Sequence, residues 1–119
     1  MEEYISYNEI IKTVEYYYKT FINSYKRYNT SIDAFKDSTY RIIDDIWLGI
    51  EESLIQKIMY ITIITIKGFE NNELVPEIEA LIKELIQNNT LEQIKSEISL
   101  EDYELIKKDI EFIREKLKV

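Results

Sequence analysis

The stretch I58-M-Y-I-T-I-I-T-I66 decides the fold. Six of its nine residues are isoleucine or methionine and two more are threonine, so its β-branched content suits a strand. A strand here has nothing to pair with, because no second β-rich run occurs in the 119 residues. Unpaired backbone groups in a core are costly. Just upstream, Glu51, Glu52 and Ser53 make a good helix entrance. The segment 51–68 therefore reads as a buried helix, ended by Gly68 and Glu70-Asn71-Asn72. At nine residues the apolar run is too short to span a bilayer, and it carries Thr62 and Thr65.

Working outward, the rest of the chain shows helical period. Over 8–28 the apolar positions Ile10, Val14, Tyr17, Tyr18, Phe21, Tyr25 and Tyr28 recur at steps of three and four, with Ser6 and Glu9 placed as a capping box. Thr30 with Asp33 marks a second start. The stripe Ile32, Phe35, Thr39, Ile42, Ile43 and Ile46 follows, and Gly49 is the expected C′ residue. A fourth helix is expected at about 73–88, with Pro76 in its first turn and the stripe Ile78, Leu81, Ile82, Leu85 and Ile86. Thr90 with Gln93 starts a short helix to about Ile98. Ser99 with Asp102 starts the last, carrying Tyr103, Ile106, Ile110, Ile113 and Leu117. The loops are short, which makes sequential helices antiparallel neighbours. The expected fold is all-α, one domain over residues 1–119, an antiparallel helical bundle of about five helices plus one short helix.

Composition agrees. Gly 2 and Pro 1 are too few for a sandwich or barrel, while 45% hydrophobic and 32% charged residues suit one water-exposed globule. Cys 0 removes thiol and disulfide chemistry, and His 0 removes the usual general base and the commonest zinc ligand. Two distant glycines cannot form a phosphate-binding loop, so no cofactor is expected. The start, MEEYISYNEI, lacks the basic-then-apolar pattern of a signal peptide, and the expected compartment is the cytoplasm. An alphabet rich in Ile, Asn, Lys and Tyr, with Ala34 and Ala80 the only alanines, fits AT-rich codons and a bacterial or phage source.

Charge is the functional lead. Residues 70–104 hold ten acids and two bases, whereas 1–69 hold ten and eight. Glu73, Glu77, Glu84, Glu92, Glu97, Glu101, Asp102 and Glu104 are the main sources. This sign opposes nucleic-acid binding. It suits steering toward a basic protein. A second acidic group lies in Y40-R-I-I-D-D-I-W-L-G-I-E-E52. There Asp37, Asp44, Asp45, Glu51 and Glu52 form a candidate contact patch at the helix 2–helix 3 corner, with Trp47 at its edge. Among ten tyrosines, Tyr16 points outward from the helix 1 stripe and is a candidate anchor. The alternative chemistry needs carboxylates converging from several helices. Glu70 and Glu73, with Glu101 and Glu104, give two Glu-x-x-Glu pairs similar to those of metal-dependent helical nucleotide pyrophosphohydrolases. A third possibility is a scaffold whose tyrosine-rich face forms a homodimer.

S31-I-D-A-F-K-D-S-T-Y-R-I-I-D-D-I-W-L48, in a small acidic helical chain without Cys or His, resembles the immunity proteins that bacteria pair with nuclease-type and other polymorphic toxins. The resemblance implies a non-enzymatic inhibitor that binds a basic toxin domain and blocks its active site or groove. Phage-encoded inhibitors of host defence nucleases have the same profile.

Overall fold

The computed structural model describes residues 6–25, 31–50 and 53–119, with side chains placed for all of these except 24–25, 31–33 and 45–50. Among the described residues six α-helices follow one another: α1 Tyr7–Tyr25, α2 Ser31–Ile50, α3 Leu54–Glu70, α4 Pro76–Gln87, α5 Thr90–Ile94 and α6 Leu100–Leu117. A 3-10 turn, Lys95–Glu97, separates the last two. No strand occurs among the described residues. The radius of gyration, 14.2 Å, is close to the ~13.5 Å of a compact chain of this length.

Helix α3 is the centre. It packs against α1, α2, α4, α5 and α6, and every residue from Ile58 to Thr65 is buried. A helix surrounded on all sides is apolar on all sides, which explains why its sequence lacks a polar face. The β-branched penalty is at most ~0.7 kcal/mol per residue, whereas full burial of an isoleucine gains ~1.5–3 kcal/mol. Burial wins, and the strand-like segment is a helix. Its start is as expected: Ser53 caps it by accepting from the Gln56 N–H at 3.3 Å. Glu51 and Glu52 lie outside the described residues.

The outer helices bury the expected stripes. Ile10, Val14 and Tyr18 of α1, Phe35, Thr39 and Ile42 of α2, Ile78, Ile82 and Leu85 of α4, and Tyr103, Ile106, Ile110 and Ile113 of α6 are all buried. Helices α1 and α2 share a close seam. The Tyr18 and Phe35 rings stack at 4.7 Å, and Ala34 is fully buried. Thr39 donates back to the Phe35 carbonyl at 3.0 Å, so its 2.8 Å bond to Tyr18 has the phenol as donor. Burial pushes the Tyr18 phenol up to about 12.

The helix ends correct the sequence reading. Gly49 does not close α2, which runs through it to Ile50. Gly68 does not close α3, which continues to Glu70. The left-handed residue is Asn72, at φ 54°. The Glu73 N–H donates to the Gly68 carbonyl at 2.9 Å and the Asn72 N–H to that of Phe69 at 3.3 Å, the two bonds of a Schellman motif. Gly68 instead allows a close approach: a Cβ there would lie 3.0 Å from Leu74 Cδ1 and 3.3 Å from its Cα, so Leu74 would have to give by a few tenths of an ångström. After α4 Asn89 is left-handed at φ 53°, its N–H donating to the Ile86 carbonyl at 3.1 Å, and it is also the N-cap of α5, so Thr90 is the first helical residue and is buried. Helix α5 ends at Ile94, not Ile98, and the 3-10 turn covers the difference. The caps at Ser6, for Glu9 N–H at 3.3 Å, and Ser99, for Asp102 N–H at 3.1 Å, are as expected. Thr30 lies outside the described residues.

Candidate functional site

Asp37, Tyr40, Arg41 and Asp44 fall at helical spacing on one side of α2. Asp44 and Arg41 are exposed and Asp37 is half-buried. The Arg41 guanidinium lies 5.7 Å over the Phe21 ring of α1, and both Asp37 and Arg41 are engaged in contacts. Between them Tyr40 reaches across to α4, and its hydroxyl donates to Glu77 Oε2 at 3.0 Å. The hydrogen bond to that carboxylate raises the Tyr40 phenol above its ordinary pKa. Glu77 and Glu84 are exposed and seven residues apart, hence on one face of α4.

The Tyr40–Glu77 bond therefore joins two acidic groups that the sequence presents as separate candidates. The α2 set brings Asp37 and Asp44, and the α4 set brings Glu77 and Glu84. Glu73, half-buried, lies in the turn between α3 and α4. Ion pairs in the 70–104 region link Lys67 with Glu70 at 3.5 Å and Lys83 with Glu79 at 3.3 Å. Glu84, Glu97, Glu101 and Glu104 have no ion pair among the described residues. Tyr16 points outward, 67% exposed, edge-on to Tyr17 at 6.4 Å. The side chains of Asp45 and Trp47, and the whole of Glu51 and Glu52, lie outside the described residues.

Glu70, Glu73, Glu101 and Glu104 are not gathered into a ligand set: no three acidic side chains among the described residues come together as a metal site would require. The reason is register. Glu70 faces the Asp109–Lys116 stretch of α6 across a cleft. Phe112 in that stretch is eight residues, ~12 Å of helix, beyond Glu104.

The chain matches no known protein family, no curated protein and no solved structure.

Three features of interest lie outside the sequence-based candidates. Asp102 is 5% exposed. It sits in the first turn of α6 and also accepts the Tyr7 backbone N–H at 3.4 Å. One carboxylate thus serves the N-termini of α1 and α6, both favourable for an anion. Tyr7, expected ahead of helix 1, is instead its first residue, 1% exposed, with its hydroxyl donating to Asp109 Oδ2 at 2.5 Å. Tyr103 donates to Glu92, which holds its phenol up at about 12, and Lys95 lies 4.8 Å over its ring. Such contacts join residues far apart in the chain and leave no periodic trace. Phe112 does leave one, as an apolar residue off the Ile106–Ile110–Ile113 stripe.

Proposed function

We propose that this chain is a non-enzymatic protein inhibitor, a cognate immunity protein that binds and neutralises the basic, nuclease-type domain of a bacterial toxin in the cytoplasm. Its frame is an antiparallel bundle of the long helices, and its working surface is the acidic side shared by α2 and α4. The observation that carries this reading is the Tyr40–Glu77 hydrogen bond, with Asp44 and Glu84 exposed beside it. Carboxylates held on one face repel each other when unbound. A basic partner relieves that repulsion and is steered by it during approach. Asp37 lies on the same α2 face, and Tyr16 is an exposed aromatic of the type enriched at interface centres. Asp45, Trp47, Glu51 and Glu52, which follow in the sequence, belong to the same proposed contact set.

The test is neutralisation. The reading frame adjacent to this gene is expressed alone and together with the chain. The expected result is growth arrest alone and growth restored by co-expression. The triple variant Asp44→Lys, Glu77→Lys, Glu84→Lys should lose protection, through slower and less salt-sensitive association with the purified partner. A triple variant that protects as well as the wild type would remove this surface from the interface. A neighbour that is harmless alone, or toxic despite the chain, would remove the immunity reading.

A further inference from the structure

A cleft of about 470 Å³ opens between the C-terminal end of α3 and the second half of α6. Half-buried Ile66 lies in it, and Phe69 and Phe112 form an edge-to-face pair in its lining, centroids 6.1 Å apart. Phe112 is 43% exposed, and its helix neighbours at three and four residues are Lys108, Asp109, Glu115 and Lys116. A ring left half in water on a charged helix face forgoes much of the stabilisation that burial would give it. Something that covers the ring would recover it.

The charge of the cleft says what. Asp109 is half-buried in the lining, and its Oδ2 is held by the hydroxyl of buried Tyr7. Burial, and then Asp109 itself, keep that phenol protonated, so it remains a donor and fixes the carboxylate. The other oxygen of Asp109 has no hydrogen bond, and the carboxylate no ion pair, among the described residues. Two cations beside the cleft are turned to other groups. Lys67 pairs with Glu70 and Glu15, and Lys116 lies 5.5 Å over the Phe112 ring. That last contact also shows this ring accepting a cation on its face. The C-terminal end of α3 adds its partial negative charge.

We propose that this cleft receives an arginine side chain of a basic protein partner, with the guanidinium stacked on the Phe69–Phe112 pair and donating to Asp109. Arginine fits because its planar group stacks face-on against an aromatic ring while its in-plane N–H groups remain free to fork onto a carboxylate, whereas an ammonium has no plane to stack. The identity of the occupant as a protein rests on the reading above; the chemistry of the cleft does not.

The test is a nuclear magnetic resonance titration of the intact chain with N-acetyl-arginine amide, with N-acetyl-norleucine amide as the uncharged comparison. Shifts should concentrate at Phe69, Asn72, Asp109 and Phe112 with the arginine probe and be much weaker with norleucine. Asp109→Asn keeps a carbonyl oxygen for Tyr7 to donate to and should raise the dissociation constant about tenfold, the loss of one charge-assisted hydrogen bond. Phe112→Ala should weaken binding while the chain stays folded, with only a small fall in melting temperature from the lost Phe69 contact. Shifts spread over the α2–α4 acidic surface, equal binding of norleucine amide, or an unaffected Asp109→Asn variant would each overturn the proposal. So would shifts at these residues on raising the protein concentration alone, which would mean a second copy fills the cleft. The titration needs no toxin, so its failure would leave the neutralisation test standing, and the reverse.

Discussion

Helices α3 and α6 are 17 and 18 residues long, yet almost nothing else about them is alike. From Ile58 to Thr65 α3 has no solvent face, and it packs on five other helices. Its sequence carries β-branched residues that an isolated helix would tolerate poorly. Helix α6 buries one stripe and gives the rest to charge. Ser99 caps it, Glu101 and Asp102 stand in its first turn, and Arg114 and Lys116 stand in its last, each end matching the helix dipole. Helix α3 is stable because of what surrounds it, whereas α6 brings part of its own stability. The residues available to meet a ligand are accordingly on helices like α6, which keep an outer face.

The largest effect should come from damaging the surrounded helix. Ile58 is 1% exposed, and Ile58→Ala should cost ~2–5 kcal/mol in urea unfolding. A cost below ~1 kcal/mol would show that α3 is not the centre of the core.

Alkali should act next, through phenols raised in several helices, Tyr60 of α3 among them. Helix α6 is tied by phenol–carboxylate bonds, Tyr7 to Asp109 and Tyr103 to Glu92. The Tyr103 and Tyr18 phenols are raised to about 12 and that of Tyr7 is raised as well, while tyrosines in the unfolded chain ionise near ~10. The unfolded chain therefore loses protons first as pH rises. This stabilisation is complete below pH ~10 and disappears as pH climbs through about 12. Urea midpoints should fall steadily across that window. A flat profile to pH 11 would mean these phenols are not held as described. Between pH 6 and 8 the midpoint should barely move, because the chain has no histidine to titrate.

The surrounded helix should also contain a defect that can be repaired. Thr62 Oγ1 is buried with no hydrogen-bond partner, whereas Thr65 donates back to the Ile61 carbonyl at 2.7 Å. Thr62→Val should stabilise by ~1 kcal/mol, and a destabilised variant would mean the hydroxyl is satisfied in solution. The smallest effect belongs to the self-supporting helix: Ser99→Ala removes a cap and should cost ~0.5–1 kcal/mol, read as a shift in the urea midpoint.

The same contrast explains what could be read from the sequence. Stripes such as Ile78–Ile82–Leu85 and Ile106–Ile110–Ile113 are periodic, so the helices and most of their buried faces were legible. Helix α3 has no period, and it was placed by elimination of a partner strand. The end at Gly49 was misread, since α2 runs through it; the break at 68–72 was legible, but its left-handed residue is Asn72 and not the glycine that usually takes that role. Asp102 was assigned correctly to the first turn of α6, but its service to α1 depends on a residue 95 positions away. The acidic residues were visible one by one. Their junction through Tyr40 and Glu77 was not, because only tertiary packing creates it.

The double use of Asp102 and Asp109 has a kinetic consequence. The backing of the first turn of α1 comes from residues 95 and 102 positions downstream. During synthesis α1 and α2 can meet as soon as both have emerged, because their shared seam is local. The start of α1 must wait until nearly all of α6 has been translated, several seconds later at ~5–20 residues per second. Through that interval Tyr7 lacks its partner and its end of the core stays open to water. Of the described contacts of α1 with later helices, this is the one that waits longest.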